Sequence, residues 1–310
     1  MTISAASAVT SYADARAVLD EPQLIPEPAA ETDAEDGSLA WLRATVARFT
    51  GDAHVHARRR AHAMTALVDL DPRELRQAAA GSAIGPDDRH TVVRILAEAL
   101  GLPGPDEVAE AVVAVSAGYF GGELTPTQAR AADEAVASLL ARTAHAGGEA
   151  NLEAAAQRIG LLVQACDATA RLVEHARRSA PDGLPPGGAD ALLAQVLRDD
   201  PPVTALRRRA LADIRVGTLD LRAGETVLID VTAAKALADQ SDPDLGTGDE
   251  QAHLAFGAGP HRCPGQAQAL AIAAGLLVRD DPAAHVAGSL DHHAGAGGRL
   301  GASTKFEEQA

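Results

Sequence analysis

The residues best placed to do chemistry lie in one short run, HLAFGAGPHRCPG, from His253 to Gly265. Cys263 sits there among Gly257, Gly259 and Gly265, with His261 two positions before it. Glycine lets a backbone approach a bound group closely and turn its N–H groups toward a sulfur. A helical pattern, Gln266 to Val278, begins just beyond Pro264, so the positive end of a helix faces the thiol. Backbone donors and a helix N-terminus both favour a thiolate. The plain alternative is a glycine-rich turn around a buried structural cysteine. Two other runs concentrate cationic side chains. AHVHARRRAHA, from Ala53 to Ala63, places His56 and Arg60 at helical spacing, and LRRRA places Arg207, Arg208 and Arg209 in succession. The plain reading of each run is a solvated basic face.

The elements that carry these runs are mostly helices. Ser11 to Asp20 predicts a short one, since Ala15, Val18 and Leu19 share a face. Glu21 to Gly37, rich in Pro, Glu and Asp, predicts a loop. Ala40 to Phe49 predicts a helix with Trp41, Ala44, Val46 and Phe49 on its apolar side. Helices are also expected over His90–Leu100, Pro105–Tyr119 and Pro126–Arg142, the last two flanking a turn at Gly121 and Gly122. Asn151 to Arg178 is the longest candidate, with Ile159, Leu162, Val163, Cys166, Ala170 and Val173 following the 3.6-residue period. Ala191 to Leu197 predicts a helix with Asp190 as its N-cap, stopped by Pro201 and Pro202. Asp213 to Val231 alternates around Gly217 and Gly224 and predicts small strands. Gln240 to Gln251 reads as a loop.

Composition sets limits on function. The chain has 310 residues with 46% apolar and 2% aromatic content. Abundant alanine and scarce aromatics favour close-packed helices. A formal net charge of −16 argues against nucleic-acid binding, which needs a basic face. The first twenty residues lack a basic stretch followed by an apolar one, so no signal peptide is expected. The most apolar run, near Leu161, is interrupted by Gln164 and Asp167, so no membrane span is expected. Two cysteines are too few for a disulfide scaffold and agree with a cytoplasmic protein.

Phe256, Gly257, Gly259, His261, Cys263 and Gly265 match the pattern F-G-x-G-x-H-x-C-x-G. This run resembles the cysteine-ligand loop of the cytochrome P-450 family. The resemblance implies a trimmed cytochrome P-450 fold, mainly α with a minor β-sheet, as a single domain over residues 1–310. It implies haem b (iron protoporphyrin IX) as cofactor, with Cys263 as the axial iron ligand and Phe256 packed beside the sulfur. DDPPVTALRRRA, from Asp199, resembles the family segment whose arginine binds a haem propionate, here Arg208 by register, with Arg207 and Arg209 as neighbours. GDAHVHARRRA resembles the family pattern H-x-x-x-R, given by His56 and Arg60. His261 joins this propionate set. The helix from Asn151 resembles the one that crosses the distal face of the haem. Its A-G-x-[DE]-T-[ST] stretch is here Gln164, Ala165, Cys166, Asp167, Ala168 and Thr169.

The resemblance implies a monooxygenase that oxidatively tailors a small molecule in bacterial specialised metabolism. Asp167 would gate protons, and electrons would come from a ferredoxin and a ferredoxin reductase. Three departures matter. The chain is short, with the N-terminal strands, the first helix and one central helix expected to be missing. The family's Glu-x-x-Arg pair is Gln195 and Arg198, with Gln195 placed to accept a hydrogen bond, and the partnering arginine falls at Gly248. The distal alcohol is replaced by Ala168, and Thr169 points about 100° away. That loss raises a rival reading, a haem enzyme needing no reductant: a peroxygenase, isomerase or dehydratase. A second rival is a non-catalytic partner that activates another enzyme. Cys166 reads as a packing residue.

Overall fold

A computed structural model of the chain describes residues 7–30, 33–84, 87–147, 151–234 and 253–281. It is mainly helical. The helices are α1 (Tyr12–Asp20), α2 (Leu39–Thr45), α3 (Ala53–Val68), α4 (Pro72–Ala80), α5 (Asp88–Ala99), α6 (Pro105–Tyr119), α7 (Pro126–Gly147), α8 (Leu152–Ser179), α9 (Gly188–Asp199) and α10 (Gln266–Asp280). Short 3-10 turns lie at Ala47–Phe49 and Gly259–His261. The strands are β1 (Ser7–Val9), β2 (Leu24–Ile25), β3 (Ala205–Ala210), β4 (Ile214–Val216), β5 (Leu219–Leu221) and β6 (Thr226–Asp230). One sheet has the order β1-β6-β3-β2, with β1 parallel to β6 and the other pairs antiparallel; β4 and β5 form a separate ribbon.

Most helix starts are set by short polar side chains. Ser11, Ser38, Asp52, Asp71, Asp87 and Asn151 each accept a backbone N–H from the first turn of the helix that follows. Asp190 does not do this. Gly187, in the left-handed region, caps α9, and Asp190 instead pairs with Arg76 of α4 at 2.8 Å. The expected helix over Ala40–Phe49 is broken after Thr45. Gln157 of α8 is buried there, accepting from the Ala47 N–H at 2.8 Å and donating to the Thr45 carbonyl at 2.9 Å. Those bonds replace the intrahelical ones that a continuous helix would make.

Other expectations shift in similar ways. β2 lies inside the segment expected to be loop, and β3 occupies the arginine run. α4 was not anticipated; its apolar face is short, only Leu75 and Ala79 one turn apart being buried. The expected loss of N-terminal strands is corrected by β1, whose residues Ser7–Val9 register with Val227–Ile229 of β6. The turn at Gly121 and Gly122 holds, with φ of 96° and 120°. Gln195 is exposed and makes no bond to Arg198, so the amide is solvated rather than serving that arginine. Gly248 and the loop Gln240–Gln251 lie outside the described residues.

α8 is the axis of the molecule. It packs against α2, α3, α5, α6, α7, α9 and α10, while α10 also packs extensively on α4. Gly275 of α10 allows that approach, since a Cβ there would collide with the Arg76 carbonyl oxygen. The two ends of α8 are tied by charge. At the start, Glu153 accepts from Arg58 Nε at 2.8 Å and Arg59 Nε at 2.8 Å. At the end, Arg177 pairs with Asp88 of α5 and Asp280 of α10. The bonds from Arg58 hold the Glu153 carboxyl at about 2, down from an ordinary value of 4.5. A carboxyl whose folded value is depressed stabilises the fold above its unfolded value and loses that contribution on acidification. Between pH 4.5 and about 2, the melting temperature of the protein is therefore expected to fall more steeply than that of Glu153→Gln. Parallel pH-melting curves for the two would show that this staple is inactive.

Candidate functional site

The cysteine loop closes on itself before α10 begins. The Cys263 N–H donates to the Phe256 carbonyl at 2.8 Å, the Gly257 N–H to Leu254 at 2.8 Å, and the Arg262 N–H to Gly259 at 3.1 Å. Gly257 and Gly259 have φ of 68° and 63°, a region that side chains other than glycine rarely adopt. At Gly259 a Cβ would also collide with the Leu19 carbonyl oxygen of α1. Phe256 is half-buried, its ring 5.9 Å from that of His253. The thiol of Cys263 is pushed up by burial, and the Gly265 N–H at the start of α10 draws it back down. Arg60 and Arg262 act in the same direction as Gly265.

Cationic side chains from the loop itself and three other elements gather beside Cys263. His56 comes from α3, and its ring lies 4.2 Å from the ring of His261. Arg60 comes from the same helix one turn later. The run Arg58–Arg60 is divided in function, since Arg58 and Arg59 hold Glu153 while Arg60 has no ion pair among the described residues. β3 sorts its three arginines by alternation. Arg207 is exposed, Arg209 pairs with Glu27 at 2.7 Å, and Arg208 points inward at 3% exposure with its Nε unpartnered. The fourth element is the 3-10 turn, which brings Arg48, with its Nη1 buried and unpartnered. Sequence reasoning passed over Arg48. Its only signal was an arginine flanked by apolar Val46, Ala47 and Phe49.

Every shift in this cluster runs one way. His261 is depressed to about 3 by burial, then by His56, Arg208, Arg48 and Arg60. His56 is lowered by burial and by Arg60, so both rings are neutral at ordinary pH. Arg208 is lowered to about 10 by burial and by Arg48. Burial also lowers Arg48 and Arg60. No carboxylate among the described residues pairs with Arg48, Arg60 or Arg208. Buried charge of one sign is costly unless an opposite charge meets it.

An apolar cleft adjoins the loop between α8 and α10, lined by Leu67, Leu70, Leu96, Leu100, Leu161, Leu162, Ala165, Gly265, Gln268 and Ala269. Counting 100° per residue, Ala168 and Thr169 fall within about 60° and 40° of Ala165 around α8, while Asp167 lies about 160° away. Asp167 is 35% exposed and lies 3.9 Å from Arg89 of α5. Cys166 is fully buried, and burial raises its thiol to about 12.

No protein-family model matches the sequence, and no curated protein matches it. The fold does match solved structures. CalO2 is 20% identical with a TM-score of 0.67, over 88% of this chain and 82% of that one. P450BioI, solved with an acyl carrier protein bearing hexadec-9Z-enoic acid, is 16% identical with a TM-score of 0.65, over 88% and 83%. A variant of the mixed-function cytochrome P-450 MycG, solved with mycinamicin IV, is 24% identical with a TM-score of 0.62, over 88% and 81%. The chain thus has the cytochrome P-450 fold. Among the described residues no helix is long and apolar enough to cross a membrane.

The residues present fit a haem. Among the described residues no group of three or more His, Cys, Asp or Glu is placed to hold a bare metal ion. A lone thiolate suits an iron whose other ligands belong to its own macrocycle. Two propionates would supply the anions that the cationic cluster lacks. Arg208→Ala is expected to speed haem loss to an acceptor protein about tenfold or more, the scale of one or more charge-assisted hydrogen bonds. Arg207→Ala is expected to leave the rate unchanged. If the two variants exchange behaviour, the strand register is misread.

Proposed function

We propose that this protein is a haem-thiolate monooxygenase acting on a small organic molecule. The observation that carries this reading is the shielded Cys263 thiol next to a buried cationic cluster with no anion of its own. Cys263 would be the protein's ligand to the haem iron. Gly265 aims its N–H at the sulfur, and Gly257 gives the loop its turn. Phe256 packs beside the thiolate. His56, Arg60, Arg208 and His261 hold the propionates. When bound, the haem supplies dioxygen activation, which thiolate donation favours.

The remaining roles belong to α8. Ala165, Ala168 and Thr169 turn toward the cleft and leave room for substrate. Asp167 stands on the other face, in reach of solvent and held near Arg89, where it can pick up a proton and swing inward. Electrons come from a ferredoxin and a ferredoxin reductase, and the reaction is a tailoring step in bacterial specialised metabolism, in the cytoplasm. The likeness to MycG, solved with mycinamicin IV, supports a small-molecule substrate.

One observation favours a second reading. Ala168 cannot hydrogen-bond, so the position that holds an alcohol in the resembled pattern cannot order a proton-carrying water, and the nearest hydroxyl on that side of α8 is that of Thr169, one residue on. A peroxygenase, or a reaction without external oxidant, does not need that water. The test compares oxidation of a small-molecule panel driven by NAD(P)H, ferredoxin and reductase with oxidation driven by peroxide. The monooxygenase reading expects Asp167→Asn to slow the reductant-driven reaction about tenfold or more and spare the peroxide-driven one. Unchanged reductant-driven turnover in Asp167→Asn would favour the reductant-free reading.

A further inference from the structure

Two arginines are left over once the propionates are assigned. Arg60 and Arg208 match two carboxylates charge for charge. Arg43 of α2 and Arg48 remain. Their guanidinium carbons lie 5.3 Å and 5.2 Å from the centre of the Phe49 ring. Arg43 Nε and Arg48 Nη1 are buried, and neither finds a hydrogen-bond partner. Phe49 in turn stacks against Tyr119 at 5.2 Å. The Tyr119 hydroxyl accepts a bond from Gln164 Nε2 of α8 at 3.1 Å. Phe49 and Tyr119 thereby link the pair to α8, and Arg48 also lies close enough to Arg208 and His261 to act on both.

We infer that Arg43 and Arg48, braced on Phe49, form the anion-binding end of the substrate pocket and take a small molecule bearing a carboxylate. Stacking on an aromatic ring fixes each guanidinium plane and leaves its edge N–H groups free for a planar anion. Two like charges fixed near one ring repel each other without a counter-ion, and the described residues supply none. Tyr119 adds a buried hydroxyl beside them, its proton held tightly by burial. This inference deepens the monooxygenase reading and rests on it for the identity of the pocket.

The test measures the melting temperature of the haem-loaded protein with benzoate and with benzamide, which share a shape and differ in charge. The haem-to-protein ratio is recorded for every sample. Benzoate is expected to raise the melting temperature by a few degrees and benzamide to leave it unchanged. Arg43→Met and Arg48→Met should each abolish the benzoate effect while keeping the haem ratio, and Arg43→Lys, which keeps the charge, should retain part of it. Equal effects of benzoate and benzamide would overturn the inference, as would a benzoate effect that survives in the double Met variant. Haem loss in Arg48→Met would also overturn it, assigning Arg48 to the propionates. A protein that binds no haem yet shows the benzoate preference and its loss in the variants would support the anion pair and sink the haem reading alone.

Discussion

Uncompensated positive charge is the constraint around which this structure is arranged. Three separate stretches of the chain, α3, β3 and the cysteine loop, bring His56, Arg60, Arg208 and His261 together beside Cys263, with Arg48 of the turn before α3 at their edge. Within the described residues they meet no carboxylate. Left alone, such a cluster costs stability, and the depressed values of His261 and Arg208 record that cost. A dianionic ligand would reverse the sign, so the same residues that weaken the empty fold would bind the cofactor. That ligand is the haem proposed above, in a chain that shares its fold with cytochromes P-450.

The rest of the chain spends its interactions on holding that arrangement still. Gln157 breaks α2 from α8 and so sets where Arg48 and Phe49 emerge. Arg59 donates to the Ala44 carbonyl at 2.7 Å and to Thr50 Oγ1 at 2.8 Å, fastening α3 to the same segment. Glu153 draws Arg58 and Arg59 away from the site and leaves Arg60 facing it. β3 buries Arg208 by turning it to the sheet face opposite that of Arg207. α10 packs along α8, and Gly265 and Ala269 share a cleft with Ala165.

Much of this was readable in the sequence where local chemistry decides it. The loop around Cys263 declared itself through glycines that the backbone requires, and the longest helix declared itself through an unbroken apolar period. Choosing Arg208 among three adjacent arginines by register agreed with the strand alternation that buries it. What stayed hidden depended on distant partners. The end of α2 is set by Gln157, 112 positions from its Thr45 acceptor. Asp190 looked like a cap but was drawn away by Arg76, 114 positions distant. Arg48 looked like any surface arginine, because nothing local reveals that its neighbours will enclose it. β1 and β2 are too short to show alternation and exist only through pairing with β6 and β3.

The central claim is that Cys263 provides a thiolate to a haem iron seated against the cationic cluster. The most direct measurement is the absorption spectrum of the reduced carbon monoxide complex of the purified protein. The strongly red-shifted Soret band of thiolate ligation is predicted, present in Cys166→Ser and absent in Cys263→Ser. Loss of the band in Cys166→Ser with retention in Cys263→Ser, or no haem absorbance in the parent protein, would contradict the account.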